Sequence, residues 1–247
     1  MARGAKKIKA RSPLFVPISF LLIVVALAFG LSVFFRVNNI EVEGNGIYTA
    51  EEIIEASGIE AGDNLFFINR AAAISRIYSR LPYVESAGVQ RSLPNKLVIR
   101  VTESSALAWV SAENGDWAID RSCKLLARLE REELRSLIRV EGLAPIAPEA
   151  GQIIAPGEAE IPKVNYLAAI LWQISELGLQ DDVTYIDVSN VANPQFDYLG
   201  RFTVKLGTNE NVEYKFQILR SAVATLSEGD RGTLDLSIDK RAHLTYD

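Results

Sequence analysis

The sequence predicts an α+β protein: an N-terminal transmembrane helix, a small β-α-α-β-β unit, then a mixed, strand-rich β domain with two helices. Three observations carry that reading. Leu14 to Phe35 is an apolar run without a charge. From Ile40 onward, short apolar segments of period two recur between turn residues. Four later segments repeat apolar residues at helical spacing between recognisable start and stop signals.

The apolar run comes first. At 1.5 Å per residue, about 20 residues cross a ~30 Å hydrocarbon core, and only Ser19 and Ser32 in the run are polar. Pro13 and Pro17 fall in the first turns, where a missing N–H costs least. Arg3, Lys6, Lys7, Lys9 and Arg11 precede the run, and the first acid is Glu41. The positive-inside rule keeps this basic tail, residues 1–13, in the cytoplasm and sends everything after Arg36 across. A cleaved signal peptide is the alternative, because Ala26-Leu27-Ala28 has the A-x-A form. The run continues past that site to Phe35, beyond an ordinary h-region of about 7–15 residues, which favours an uncleaved anchor.

Composition narrows the function classes. The chain has 26 Lys+Arg against 31 Asp+Glu. All the acids and 20 of the basic residues follow Arg36, so the exported part is acidic, at −11. That surface is unsuited to nucleic acid, whose phosphates need a basic footprint. The single cysteine, Cys123, cannot close an internal disulfide, so the exported part depends on its apolar core. The single histidine, His243, leaves little room for a nucleophilic triad and none for a His-rich metal site. A binding module is expected, with no cofactor and no catalytic residue.

The first exported unit, residues 36–103, reads clearly. Arg36 to Gly44 alternates at Ile40 and Val42 and ends at Gly44-Asn45-Gly46, a strand followed by a turn. Thr49-Ala50-Glu51-Glu52 is a capping box opening a short helix with Ile53, Ile54 and Ala56 inward and Gly58 as its stop. Asn69 caps a second helix, Arg70 to Arg80, whose Ile74, Ile77, Tyr78 and Leu81 share one face. Pro82 ends it. Tyr83 to Arg91 and Lys96 to Thr102 are strands around the turn Leu93-Pro94-Asn95, with Leu97, Ile99 and Val101 on one face.

In residues 104–247 the expected strands are 106–111, 117–120, 124–126, 138–140, 183–188, 200–206 and 233–238. One helix runs from about Pro162 to Leu177, with Leu167, Ile170, Leu171, Ile174 and Leu177 inward. The other runs from about Val212 to Leu226, with Val212, Phe216, Leu219, Val223 and Leu226 on one face. Pro145, Pro148, Pro156 and Pro162 mark an irregular loop within the domain, and Arg128 to Arg139 reads as a solvated face.

Several motifs together resemble the FtsQ/DivIB family of bacterial cell-division proteins. Phe35-Arg36-Val37-Asn38-Asn39-Ile40-Glu41-Val42-Glu43-Gly44 is similar to the opening of that family's POTRA domain. Gly62-Asp63-Asn64-Leu65-Phe66 matches its glycine-containing loop. Leu81-Pro82-Tyr83-Val84 and Val89-Gln90-Arg91-Ser92-Leu93-Pro94-Asn95-Lys96-Leu97 match its paired strands. Phe202 to Gly207 followed by Tyr214-Lys215, and Leu234-Asp235-Leu236-Ser237, resemble its late strands. Asp120-Arg121-Ser122-Cys123 departs by lacking the glycine of a D-x-x-G turn, and Glu103-Ser104-Ser105 lacks an arginine.

The resemblance implies a bitopic division scaffold at the septum, not an enzyme. It implies binding of FtsB/DivIC-like and FtsL-like partners and a role in recruiting or activating septal peptidoglycan synthesis. By position, partner docking at the C-terminal edge falls on Ile238, Ala242, Leu244 and Tyr246. The alternative for these four is that they finish the core. The POTRA domain is the expected recruitment surface, toward FtsW/FtsI-type and FtsK-type proteins, with Arg70, Arg76, Arg80 and Arg91 as a candidate face or as ordinary solvated charges. A POTRA-bearing translocation or assembly factor and a tethered envelope enzyme are the other classes. Asp181, Asp182 and Asp187 read as turn and capping residues, Cys123 as inert and His243 as strand surface.

Overall fold

The computed structural model describes residues 15–155, 157–238 and 241–246, which form two compact units. One unit runs up to Arg76 and takes in Ala87–Val101; the other takes Ile77–Ser86 and everything from Thr102.

The first unit begins with α1, Phe15–Phe34, an uncharged helix of 20 residues. It leaves large apolar side chains exposed along its length, among them Phe20, Leu22, Leu27 and Phe29. Leu14, where the apolar run begins, lies outside the described residues. Among the described residues no helix is long and apolar enough to cross a membrane.

Strand β1 (Asn39–Glu43) is shorter than its alternation suggests and leads through Gly44 to α2 (Ala50–Ser57). The capping box is formed: Glu52 N donates to Thr49 Oγ1 at 3.2 Å and Thr49 N donates to Glu52 Oε2 at 2.7 Å. The bond from Thr49 N, and a second from Thr49 Oγ1 to the same oxygen at 2.9 Å, hold the Glu52 carboxyl below its ordinary range. Helix α3 (Arg70–Arg80) is capped as expected, Ala72 N donating to Asn69 Oδ1 at 3.1 Å. Its inward face differs from expectation. Ala73, Ile77 and Leu81 are buried while Tyr78 is exposed. Periodicity favours large residues, and the small Ala73 set the true phase of the helix.

Strands β2 (Val84–Ser92) and β3 (Lys96–Glu103) complete the order β-α-α-β-β in a three-stranded sheet β1-β3-β2. β1 lies parallel to β3, with Ile40 opposite Leu97 and Val42 opposite Ile99. A parallel pair needs a long crossover, which α2, α3 and β2 supply. Val37, Ile53, Leu65, Ala73, Leu97 and Ile99 are wholly buried.

The second unit holds β4 (Ala108–Ala112), β5 (Gly115–Ile119), β6 (Leu125–Arg128), β7 (Ile138–Glu141), α4 (Ile161–Glu176), β8 (Tyr185–Asp187) and β9 (Gln195–Tyr198). β10 (Phe202–Lys205), α5 (Val212–Val223), β11 (Gly232–Asp235) and β12 (His243–Tyr246) follow. Among the described residues nine strands make one sheet in the order β12-β11-β10-β9-β8-β7-β4-β5-β6.

Two crossovers shape that sheet. α4 carries the chain from β7 to the parallel β8, and α5 carries it from β10 to the parallel β11. Both helices bury their apolar stripes in one core with the sheet: Leu167, Ile170 and Ile174 from α4, Phe216 and Leu219 from α5. The rings of Phe196 on β9 and Phe216 stack at 5.5 Å between centroids. The proline-marked loop is tied down: Leu143 and Ile154 join the core, and Ile154 N donates to the Cys123 carbonyl at 3.0 Å. The charged stretch Arg128–Arg139 holds a short 3-10 turn, Glu133–Ser136, without a buried residue.

The Asp120–Cys123 turn forms without its glycine. Cys123 adopts φ 62, a left-handed conformation unusual outside glycine. Buried Asp120 holds the turn by accepting from Ser122 N at 2.8 Å and Lys124 N at 2.9 Å.

Candidate partner-binding edge

The last three strands form one end of the large sheet. β11 pairs with β10 on one side and β12 on the other, with Leu234 opposite Val204 and Leu244. Among the described residues β12 pairs with β11 alone. Its outer rim of N–H and C=O groups is therefore open to a further strand. The sequence places the edge in the last segment, Thr233 to Tyr246, with one expected strand at 233–238; the structure divides that segment into two strands, β11 and β12. β11 ends at Asp235 and is covered by the chain's own β12. Ser237 N donates to Asp235 Oδ1 at 2.8 Å, a local turn that takes the chain out of the ladder.

Gly232 sets the approach of β12. Its φ is 145, and a Cβ there would stand 2.0 Å from the Thr245 carbonyl oxygen. Only glycine admits so close a backbone. The signal in the sequence was a glycine at the start of a strand pattern.

The four residues expected to meet a partner differ in setting. Leu244 and Tyr246 share one face of β12 by period two, and Ala242 stands just before the strand. Ala242 and Leu244 are half-buried against the core, whereas Tyr246, opposite Gly232, is 63% exposed. Ile238 is exposed on the bend after β11, and Asp239 and Lys240 beyond it lie outside the described residues. The apolar face thus begins in the core and ends in solvent at Tyr246. His243, on the opposite face, is exposed and stands across from Asp235.

Electrostatics at this edge are mild. Burial raises the Asp235 carboxyl, but hydrogen bonds from Ser237 and the charges of Lys205 and His243 outweigh it, holding the group below the usual carboxylate range. Behind β11, the buried hydroxyl of Tyr166 donates to the Thr208 carbonyl at 2.8 Å, with the Gly207 carbonyl at 3.1 Å. This joins α4 to the segment between β10 and α5. Desolvation pushes that hydroxyl well above the ordinary tyrosine range. A shallow notch lined by Asn211, Tyr214, Ile218, Leu236 and Ser237 opens beside it.

Other sequence candidates have local duties. Arg76 Nε donates to the Ser57 carbonyl at 2.7 Å, and Arg91 Nη2 donates to the carbonyls of Phe66 and Ile68 at 3.2 and 3.1 Å. These two guanidinium groups hold loops. Gly44-Asn45-Gly46 is a turn: Gly44 has φ 85, and Asn45 Nδ2 donates to the Tyr48 carbonyl at 2.9 Å. Asp187 accepts from Ser189 N at 2.8 Å, a capping role. Among the described residues no cluster of His, Cys, Asp and Glu has metal-binding geometry. Cys123 is buried, and desolvation with the Asp120 charge pushes its thiol far up, so it stays an un-ionised apolar group.

Residues 35–104 match the model of the POTRA domain, FtsQ-type. The chain is 28% identical over 211 residues to cell division protein DivIB of Clostridium botulinum, covering 83% of this chain and 80% of that one. To DivIB of Clostridium tetani it is 27% identical over 182 residues, covering 74% and 67%. To cell division protein FtsQ of Corynebacterium glutamicum it is 28% identical over 181 residues, covering 71% and 73%.

Proposed function

Since the chain belongs to the FtsQ/DivIB family of cell-division proteins, we propose that it is a bitopic divisome scaffold, anchored by its N-terminal helix and docking partners on β12. FtsB/DivIC-like and FtsL-like proteins are the partners the family resemblance implies. The outcome is recruitment or activation of septal peptidoglycan synthesis. The observation that carries this reading is the open edge of β12. Main-chain pairing along it supplies affinity, and the face of Leu244 and Tyr246, with Ala242 and Ile238 nearby, supplies the side-chain pockets.

The domain order fits a scaffold: tail 1–13, helix 14–35, POTRA domain 36–103, and a strand-rich domain 104–247 that carries the docking edge. Membrane anchoring is supported by the sequence, in which the uncharged apolar run Leu14 to Phe35 is longer than the described helix α1 and follows a basic tail, and by the exposed apolar side chains of α1. In this reading the two domains stand outside the cytoplasm at the division septum. The POTRA domain is then the surface for FtsW/FtsI-type and FtsK-type proteins.

The test is a pull-down of FtsB/DivIC-like and FtsL-like proteins on the folded ectodomain. Leu244→Glu and Tyr246→Ala are expected to weaken capture by tenfold or more, about the cost of one interface anchor. Capture unchanged in both variants would sink the docking assignment.

A further inference from the structure

The loop between α2 and α3 is built around α1. Asn64 Nδ2 donates to the Leu31 carbonyl at 3.1 Å, and Leu65 N donates to the Phe35 carbonyl at 2.9 Å. Carbonyls at the end of a helix lack partners of their own, so these bonds cap α1. The pairing continues as Val37 N to the Asp63 carbonyl and Gly62 N to the Val37 carbonyl, both at 2.8 Å. Aromatic contacts run along the same line. The Phe34 and Phe35 rings meet edge to face at 5.3 Å, and Phe35 meets Phe66 at 4.9 Å.

The tip of this loop is rigid and greasy at once. Phe66 N donates to Asn64 Oδ1 at 3.0 Å, and Phe67 N to the Asn64 carbonyl at 3.0 Å. Arg91 grips the carbonyls of Phe66 and Ile68 and stands 5.9 Å above the Phe66 ring. Yet Phe66 is 48% exposed and Phe67 84% exposed, more than any other large apolar residue described. A loose loop exposes a phenylalanine by default; this one is held outward by these four hydrogen bonds. The turn Leu93-Pro94-Asn95 comes to the same end, since Asn38 N donates to the Asn95 carbonyl at 2.9 Å, and Leu93 there is exposed.

The geometry points to a membrane-surface site: Phe66 and Phe67 enter the headgroup–acyl boundary of the bilayer in which the apolar run of α1 is proposed to sit, pinning the first unit against it. The inference rests on the proposed span of α1 and goes beyond it, because a span alone leaves the following domain free to tumble. Continuity identifies the occupant. The apolar surface of α1 passes without a break through Phe34 and Phe35 to Phe66, so whatever solvates α1 also reaches the loop. Exposed Arg36 and Arg70 flank the tip and suit lipid phosphates, while Asp63 is turned to local use by accepting from Glu60 N.

The sole cysteine is buried, so a cysteine introduced at the tip takes a fluorophore selectively. Full-length Phe67→Cys and Asn45→Cys, each carrying an environment-sensitive dye, are reconstituted in vesicles of phosphatidylethanolamine and phosphatidylglycerol. Asn45 lies past the far end of β1 and reports the solvated side. Quenching of the position-67 dye by shallow spin-labelled lipid is expected, together with iodide quenching about threefold weaker than at position 45. Equal iodide quenching at both positions, with the chain resistant to carbonate extraction, would overturn the site and leave the span intact. Protection from iodide without lipid quenching would assign the tip to a protein contact and also overturn it. Extraction of the chain by carbonate would overturn the span reading and the site with it.

Discussion

Cys123 shows how a single residue can satisfy a turn by compromise. At φ 62 a non-glycine residue strains its backbone by roughly 1–2 kcal/mol, while its wholly buried side chain returns about as much by leaving water. Cys123→Gly is therefore expected to leave stability within about 1 kcal/mol of the parent. Cys123→Val places a β-branched side chain in the same conformation and is expected to cost about 2 kcal/mol or more. Urea midpoints of the ectodomain check both. Tyr185 gives a second residue-scale prediction. Burial, then the 2.8 Å hydrogen bond to Glu141 and nearby carboxylates, push its hydroxyl up to about 12. A raised folded value means full stability below the unfolded value of about 10. The contribution is lost as pH climbs from there through about 12. Tyr185→Phe should make the alkaline limb of a stability–pH profile shallower.

At the scale of the element, β12 depends on Gly232. Gly232→Ala brings a Cβ against the Thr245 carbonyl, so β12 should shift or detach while the core around Phe196 and Phe216 stays closed. Near-native thermal unfolding, with faster amide exchange across residues 243–246 and weaker partner capture, is the expected combination. What was legible at this scale followed local pattern. The α2 capping box, the Asn69 cap and the α4 and α5 stripes were readable because each is written within a few residues. β9 was missed. Phe196 and Tyr198 do alternate, but four residues squeezed between Pro194 and the Leu199-Gly200 turn give too short a period. β12 was not separated from β11 either. The turn that parts them depends on Asp235 bonding to Ser237 and on a glycine fit to a strand eleven or more residues away.

For the whole molecule, the proposed boundary at 103/104 cuts through contacts of the second unit. Arg121 pairs with Glu85 at 2.7 Å, and Lys124 Nζ donates to the Val84 carbonyl at 2.8 Å. Ser104 N also donates to the Tyr83 carbonyl at 2.8 Å. A fragment starting at Ser104 lacks all three and leaves half-buried Lys124 with fewer partners. It should be less stable than one starting at Ile77 by about 2 kcal/mol, measured by urea unfolding. Such interleaving is invisible to a sequence reading, which divides a chain at one point. Of the four residues proposed for docking, Tyr246 and Ile238 are exposed, while Ala242 and Leu244 pack partly against the core. Period-two alternation locates a face but does not say how much of it the fold consumes.

Gly232 has a genetic consequence as well. A residue with no side chain offers a partner nothing to hold, yet a Cβ at this position alters the strand proposed for docking. If β12 is the docking strand as proposed, a screen for loss of binding would return position 232 beside Leu244 and Tyr246, and a map drawn from that screen would place the interface one strand too far into the sheet.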